Sequence, residues 1–417
     1  MTRNGSSGSD SLLDAPVSRR AFANGAARLA LGLAGAGAIG GLTGFAGPAR
    51  AAAFKGTRPF KIGFVAPLTG PVAPEGIAMQ RGFELGLEEL NAAGGIAGQP
   101  VEVVRQDDQA VPAVAGTVLK KFIQQDGVDM VVGTITSDEE TVASQICAAY
   151  DVPVMFLEAG FWMPFCKSTC VLLGETSYSL LGPLVPFMAE RFGKKFLLIG
   201  SDFEFPHQYL GVGKSFIAKA GGTVVDEFYA PLGTADWSSS IAKIKSAAPD
   251  VILSAVVGGD AIAFVKQAKS FGLLPGAHLT GITLQPEFYP AMGDAVDGLY
   301  TVTRYSEEIK AGGNAAFIAA YKKKYGEGPI PLVGVTAYYS LRFAKAAVEK
   351  AGSYDRKAVF AALKGVAATT PLSDQPLTLD PSNLSVDYPM YVCQIQPGGL
   401  FKIVKDLGVV PAGLKTC

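Results

Sequence analysis

Histidine is scarce in this chain of 417 residues, which contains only His207 and His278. The two are far apart in the sequence, so they do not form the short histidine-rich tract that is typical of many metal sites. We interpret both as surface or loop residues, and we predict no metal site.

Acidic residues are absent between Ala15 and Pro74. This segment contains GAGAIG, Gly35–Gly40, which matches the glycine-rich turn of dinucleotide-binding proteins. Such a turn needs a preceding strand, a following helix and an acidic residue about 20 positions later that binds the ribose. Because the acidic residue is missing, we expect neither NAD nor FAD, and we predict no cofactor.

Cysteine occurs five times, at Cys147, Cys166, Cys170, Cys393 and Cys417, and never as a CxxC pair. This spacing argues against zinc-ribbon and thioredoxin-like sites. An exported protein can contain disulfides, but the odd count leaves at least one thiol unpaired or intermolecular.

Complete catalytic motifs are also missing. The chain has no GxSxG and no HExxH, and Gln208 stands where a P-loop ending in Gly213–Ser215 would need its first glycine. Ser240 and Lys243 fit SxxK, but the SDN and KTG motifs that accompany it in penicillin-binding enzymes do not occur. We therefore expect a protein that is not an enzyme.

The N-terminal segment has the three parts of an export signal. Paired arginines in SRRAF, Ser18–Phe22, precede an uncharged apolar stretch over 29–45 and the small residues Ala49-Arg50-Ala51. This order is typical of a secretory signal, and the arginines resemble a twin-arginine signal. The alternative is a membrane anchor, but a glycine-rich run of about 20 residues is at the weak end of what a spanning helix needs. We predict a signal over 1–51, cleavage near Ala51–Phe54 and a periplasmic location.

The remaining chain has the composition of a globular protein with a large core. Apolar residues make up 49% of the sequence, charged residues 18%, and the net charge is −1. This charge provides no basic surface for nucleic acid, which we do not expect as a partner. Residues 52–417 are enough for two domains of ordinary size.

Apolar strand-like runs alternate with amphipathic helical ones from Phe60 onward. Phe83, Leu87 and Leu90, for example, share one face of the first predicted helix. Strands are predicted at 61–68, 101–108, 128–135, 152–159, 195–202, 223–230, 250–257 and 278–284, and helices at 75–95, 111–126, 139–150, 208–220, 237–247, 261–271 and 335–350. Short apolar strands joined by helices indicate parallel sheets with right-handed crossovers. The fold class is therefore α/β, with two similar lobes.

Ligands of such sheets bind beyond the carboxyl ends of the strands, where free N–H groups of the following helices point. This rule identifies five loops as candidate ligand contacts, at 134–138, 158–163, 201–206, 258–260 and 283–285.

Several long motifs resemble one family. They include IGFVAPLTGPVA, LEELNAAGGIAGQPVEVVRQDD, GSDFEFP, FYAPLGTADWSSSIAKIKSAAPDVILSAVVGGDAIAFVKQAKSFGL and LTLDPSNLSVDYPMYVCQIQPGGLFKIV. Over nearly all of 58–405 the chain resembles the periplasmic solute-binding proteins of ABC importers, in the leucine/isoleucine/valine-binding family. Its second half is similar to the branch that binds urea and short amides.

The resemblance implies a type I periplasmic binding protein with two Rossmann-like lobes and three crossover segments. The lobes would comprise 56–175 with 305–370 and 176–304 with 371–417. They would close around a small solute by hinge rotation and present it to a membrane permease, without chemistry. We expect a monomer. The topology also implies disulfides within lobes: Cys393 with Cys417, and one pair among Cys147, Cys166 and Cys170.

Family contacts carry over to nine positions as candidate ligand residues. They are hydroxyl, small or aromatic residues in the loops identified above, with one carboxylate: Thr136, Ser137, Ala159, Gly160, Phe161, Phe203, Phe205, Asp260 and Thr283. Residues 203 and 205 are commonly tyrosines in the amide-binding branch, so two hydroxyls are absent here.

The solute is the least determined part of this interpretation. Amino-acid binders often hold the ammonium with an acidic residue near the Thr283 position, where this chain has only neutral residues. Hydroxyls and phenylalanines favour a small carboxylate or amide with an apolar or aromatic body. The alternative is a branched-chain amino acid whose ammonium is bound by Asp260, unless Asp260 instead caps its helix. Two other hypotheses remain open: a ligand-sensing regulator on the same scaffold, and a secreted α/β enzyme.

Overall fold

The computed structural model describes residues 54–160, 168–274 and 276–414. The predicted signal segment, 1–51, lies outside the described residues, as do Phe161, Cys166 and Cys417. No helix within the described ranges is both long and apolar enough to cross a bilayer.

The first sheet has five parallel strands in the order β2-β1-β3-β4-β5. The strands are β1 Phe60–Ala66, β2 Val101–Asp107, β3 Met130–Val132, β4 Val154–Phe156 and β5 Cys170–Leu172. Its helices are α1 Ala73–Ala92, α2 Pro112–Gln124 and α3 Ser137–Ala149. Ile62 of β1 aligns with Val103 on one side and Met130 on the other. Every residue of β3, β4 and β5 is buried, as expected for a parallel sheet covered on both faces.

The second sheet has four parallel strands in the order β7-β6-β8-β9. They are β6 Lys195–Ser201, β7 Thr223–Ala230, β8 Val251–Ala255 and β9 His278–Gly281. Its helices are α4 Ser177–Phe192, α5 Glu204–Lys219, α6 Ser238–Ala247 and α7 Gly258–Ser270. A short 3₁₀ turn, Pro286–Phe288, and the helix α8 Tyr289–Met292 follow β9.

The rest of the described chain completes both halves. β10 Tyr300–Thr303, β13 Tyr388–Ile395 and β14 Phe401–Val410 form an antiparallel sheet. Between β10 and β13 lie α9 Asn314–Tyr325, α10 Leu332–Ala351, α11 Arg356–Leu363 and the antiparallel pair β11 Ala367–Thr370 and β12 Ser373–Thr378. The segment after β12 contacts β5, where the Leu172 N–H donates a hydrogen bond to the Leu384 carbonyl at 2.9 Å.

Helices α1 and α10 pack closely because α1 has glycine at the contact. A Cβ on Gly82 would lie 1.8 Å from the Gly334 carbonyl oxygen, and one on Gly86 would lie 2.2 Å from that of Tyr338. The predicted apolar face of α1 faces inward: Phe83 and Leu90 are buried, whereas Glu88 and Glu89 are exposed. The prediction of an amphipathic helix here is confirmed.

The α/β fold with two parallel sheets is also confirmed, with every predicted strand present. Helix α4 escaped prediction. Pro183 and Pro186 lie within it, and proline usually ends or kinks a helix because it lacks an N–H. Burial of one face, including Leu181 and Val185, stabilises the helix despite both prolines.

The structure does not contain the predicted disulfides at the described cysteines. Cys147, Cys170 and Cys393 are buried free thiols. Cys393 lies inside β13, where it aligns with Thr301 and Ile403. Burial raises its pKa to about 12, which keeps the thiol protonated.

Candidate ligand-binding cleft

A cleft lies where loops from the two parallel sheets meet. It consists of two adjoining cavities, a smaller one beside Tyr209 and a slightly larger one beside Phe205. Both cavities are lined by Glu158, Ala159, Ile282 and Gln285. These residues follow β4 and β9, so the carboxyl ends of strands in both sheets border the cleft, as the loop rule predicted.

The larger cavity gathers five of the nine predicted ligand residues. Thr136, Ser137 and Ala159 line it from the first sheet, and Phe203 and Phe205 line it from the second. The two phenylalanines belong to the start of α5, immediately after β6. They provide the apolar aromatic surface that the sequence analysis assigned to them.

Ser137 connects the two sides of the cleft. It is the first residue of α3, and its Oγ accepts a hydrogen bond of 2.9 Å from the Phe205 N–H at the start of α5. A second bond between loops of the two sheets runs from the Gly259 N–H to the Pro71 carbonyl, at 2.8 Å. The loops around the cleft therefore contact each other directly.

The Thr136 hydroxyl serves its own helix. It donates to Glu139 Oε2 at 2.8 Å, and the Thr136 N–H donates to the same oxygen at 3.2 Å. Together with the bond to the residue-139 backbone, this arrangement forms a capping box at the start of α3. Burial and the neighbouring Asp108 carboxylate raise the pKa of Glu139 to about 8.

Three other predicted residues do not line either cavity. Asp260 Oδ2 accepts backbone N–H bonds from Gly233 at 2.8 Å and Thr234 at 3.3 Å, so it holds a neighbouring loop. The Thr283 hydroxyl donates to the Val256 carbonyl at 2.8 Å and is fully buried. The Gly160 N–H donates to the Glu175 carbonyl at 2.9 Å. Phe161 lies outside the described residues.

Tyr209 lines the smaller cavity and was not predicted. It is one helical turn after Phe205 on α5, and the two ring centroids are 5.6 Å apart. The i, i+4 spacing of the two aromatic residues was a usable signal, because such positions lie on the same helix face. Burial raises the pKa of Tyr209, which remains a neutral phenol.

Buried glutamates are the main feature that sequence reasoning missed. Glu75, Glu158 and Glu175 line the cleft and are 3%, 8% and 1% exposed. Glu175 forms a buried ion pair with Arg304, which follows β10. The guanidinium also donates to the Thr336 hydroxyl and lies 5.1 Å from the centroid of the Tyr388 ring.

Glu75 and Glu158 form no ion pair with any residue that the structure describes. Burial raises the pKa of Glu75 well above its ordinary value, and the Glu287 and Glu158 carboxylates raise it further. Burial also raises the pKa of Glu158, opposed by the Ala159 N–H, Arg304 and Gln285. One oxygen of each, Oε2, is buried without a hydrogen-bond partner in the described part of the chain.

The site is not arranged for a metal ion. Across the residues that the structure describes, no three His, Cys, Asp or Glu side chains are placed to hold one. The described residues that line the cleft provide hydroxyl, aromatic and carboxylate groups.

Comparison with known families and curated proteins gives a consistent result. The family model described as "Periplasmic binding protein" matches residues 59–399. Leu/Ile/Val-binding protein homolog 7 of Brucella suis biovar 1 (strain 1330) is 27% identical over 377 residues, covering 84% of this chain and 92% of that protein. Homolog 8 of Brucella abortus (strain 2308) is 26% identical, covering 73% and 80%.

Solved structures share the fold. A solute-binding protein of an ABC transporter from Rhodopseudomonas palustris BisB5, in complex with 3,4-dihydroxybenzoic acid, aligns with a TM-score of 0.78 and 25% identity, over 85% of this chain and 98% of that one. A leucine-binding protein from Thermotoga maritima MSB8 aligns with a TM-score of 0.73 and 19% identity, over 84% and 98%.

Proposed function

Since the chain belongs to the periplasmic binding protein family, we propose that it is the solute-binding component of an ABC importer. It captures one small organic molecule in the cleft and presents it to the permease subunits of the transporter. It acts as a monomer and performs no chemistry on the solute.

The observation that carries this proposal is the position of the cleft. The lining residues Ser137 and Glu158 follow strands of the first sheet, whereas Phe205 and Ile282 follow strands of the second. A solute bound there touches both halves at once. It therefore stabilises the arrangement in which they are together, which is the basis of hinge closure.

The lobes follow from the two sheets. We propose 56–175 with 305–386 as the first lobe and 176–304 with the C-terminal segment after 386 as the second. Because β12 pairs with β11 and the Leu384 carbonyl binds the Leu172 N–H, we place the third crossing after residue 386 rather than at 371. The hinge would then lie next to the start of β13.

The solute has an apolar or aromatic body. Phe203 and Phe205 provide ring faces, and Ile135, Val257 and Ile282 complete the apolar part of the larger cavity. Relatives are named for leucine, isoleucine and valine, and the R. palustris protein was crystallised with 3,4-dihydroxybenzoic acid. Amino acids, amides and small aromatic compounds are therefore the classes to test.

Export precedes function. Membership in this family implies an exported protein, and we propose that the twin-arginine-like segment directs export and is cleaved near Ala51–Phe54. Cell fractionation followed by N-terminal sequencing checks this. Soluble cytoplasmic protein that retains Met1 would contradict it.

A thermal-shift screen of the mature protein tests the binding function. A solute that binds only the folded state raises the melting temperature by mass action, by an amount that grows with its concentration. Mass spectrometry of the solute after incubation should recover it unchanged. Conversion of the solute to a product would instead support the enzyme hypothesis.

A further inference from the structure

The charges around the cleft are strongly asymmetric. Three glutamates are among the described residues that line its two cavities, and no lysine, arginine or histidine is. Arg304 lies behind the lining and neutralises Glu175. Neither Glu75 nor Glu158 forms an ion pair with a described residue, although both are more than nine-tenths buried; the Arg304 charge also acts on Glu158.

Both carboxylates border the same cavity. Glu75 is in the first turn of α1, after β1, and Glu158 follows β4, the strand two places away in the sheet. Each has one oxygen without a partner among the described residues, while backbone or side-chain groups such as the Gly258 N–H and Gln285 interact with the rest of the carboxylates. The pair thus offers acceptors without matching donors.

Two further glutamates have buried carboxyl oxygens and interact with Glu158. Glu140 and Glu287 also carry oxygens without partners in the described chain, and Glu158 raises the pKa of both. A buried carboxylate without a partner is costly, and like charges nearby add to the cost. A positive group placed between Glu75 and Glu158 would favour their ionised forms and remove most of this cost, whereas an organic anion would bind only to their protonated forms.

We infer that the solute carries an organic cation, a protonated amine, which Glu75 and Glu158 bind together while its apolar body contacts Phe203 and Phe205. This inference rests on the proposed solute-binding function and specifies the chemical class of its solute. The sequence analysis favoured a carboxylate as the solute, and the solute inferred here is an amine instead. Its ammonium is bound by the first half of the molecule and not by Asp260. The aromatic rings assist, because a cation near a ring face is stabilised further.

Matched compounds separate the charge requirement from the shape requirement. Calorimetry compares leucine with 3-methylbutylamine, which lacks the carboxylate, and with 4-methylpentanoate, which lacks the ammonium. Phenylalanine, 2-phenylethylamine and 3-phenylpropanoate form a second series with an aromatic body. We expect an amine to bind at least about tenfold more tightly than the carboxylate with the same body.

Isosteric variants test which residues bind the amine. Glu75→Gln and Glu158→Gln should each weaken amine binding at least about tenfold, since glutamine keeps the shape and removes the charge. Glu88→Gln is the control, because it removes one exposed carboxylate from the same helix. Circular dichroism establishes that each variant folds.

Two results would overturn the inference in different ways. In the first, 4-methylpentanoate or 3-phenylpropanoate binds and the Glu75→Gln variant still binds it. The glutamates would then be protonated donors to an anionic solute, and the solute-binding function would stand without the cation. If neither series nor a wider panel of amines, amides and acids binds or raises the melting temperature, the proposed function itself fails.

Discussion

Glu175 borders the same cleft as Glu75 and Glu158, and all three are buried, but among the residues that the structure describes only Glu175 of the three forms an ion pair. Arg304 comes from the loop after β10, far along the chain, and is itself 1% exposed. Glu75 is in the first turn of α1 and Glu158 follows β4, and neither forms an ion pair with a described residue, although the Arg304 charge also acts on Glu158.

We infer that Glu175 stabilises the fold, whereas Glu75 and Glu158 are available to bind a ligand. The Arg304 cation compensates the Glu175 charge, so this pair can hold α4 and the segment after β10 together without solute. Buried carboxylates without an ion-pair partner gain no such compensation from the fold, and groups with perturbed pKa values concentrate at functional sites.

Removal of Arg304 should have the largest effect. Arg304→Met leaves the Glu175 carboxylate buried without its cation, which costs about 3–5 kcal/mol of unfolding free energy. Urea denaturation at neutral pH measures this loss. Lys269→Met, which breaks an exposed pair with Asp294, is the control and should change stability little.

The double variant Arg304→Met, Glu175→Gln sharpens the result. It should recover much of the lost stability, because it removes the stranded charge along with its partner. If the single Arg304→Met variant is as stable as the parent, Glu175 does not depend on its cation. The contrast with Glu75 and Glu158 would then be wrong.

The unpaired glutamates should make ligand-free protein less stable as pH rises. Burial and Glu158 raise the pKa of Glu287 from 4.5 to about 8. Below pH 4.5 both folded and unfolded chains hold the proton. Between 4.5 and about 8 the unfolded chain releases it first, so the folded state loses up to about 1.4 kcal/mol per pH unit from this group.

Urea titrations at several pH values, compared with Glu287→Gln, measure this contribution. The variant should gain stability over the parent as pH rises through this window, because glutamine does not titrate. If the stability of the two proteins changes with pH in the same way, the pKa of Glu287 is not raised in the folded state.

Ser137→Ala should weaken solute binding by about 1–3 kcal/mol. The change removes the acceptor of the Phe205 N–H, which is a contact between the two sides of the cleft. Calorimetry with the solute found by screening measures the loss. Ser144→Ala is a control on the same helix, because the Ser144 hydroxyl donates to the Thr141 carbonyl instead. If both variants weaken binding equally, the Ser137 hydroxyl does not contribute to closure of the cleft.

Asp260→Asn should have the smallest effect on affinity, within about twofold, as is usual for a substitution away from a site. The Asp260 carboxylate binds the backbone of Gly233 and Thr234 rather than the cleft. Calorimetry with leucine and with the amines checks this. Loss of tight leucine binding in this variant would restore the amino-acid hypothesis in which Asp260 holds the ammonium.

Local patterns predicted most of the fold. Strand β7 matches its predicted bounds, 223–230, and α2 and α6 begin within one residue of prediction. Helix α4 could not be predicted in this way, because Pro183 and Pro186 argue against a helix and only burial of its apolar face supports one. Strands β3 and β4 are shorter than predicted, because their apolar runs continue into buried loops.

The candidate site was predicted in location more than in chemistry. The loop beginning at residue 158 was identified as a ligand contact, but its Glu158 side chain was passed over in favour of Ala159 and Gly160. Asp260 was a candidate because it opens a helix near the cleft, and its side chain turns to another loop. Sequence position alone does not fix the direction of a side chain.

The sequence by itself determined that two parallel sheets form and that strand-to-helix loops border the cleft, because apolar periodicity and the carboxyl-end rule are local properties of the chain. Only the tertiary structure decided which carboxylates are paired. Glu175 and Arg304 are separated by more than one hundred residues, and Glu75 and Glu158 come together only when β1 and β4 enter the same sheet. Charge pairing depends on distance and burial in space, and neither can be calculated from positions along the chain.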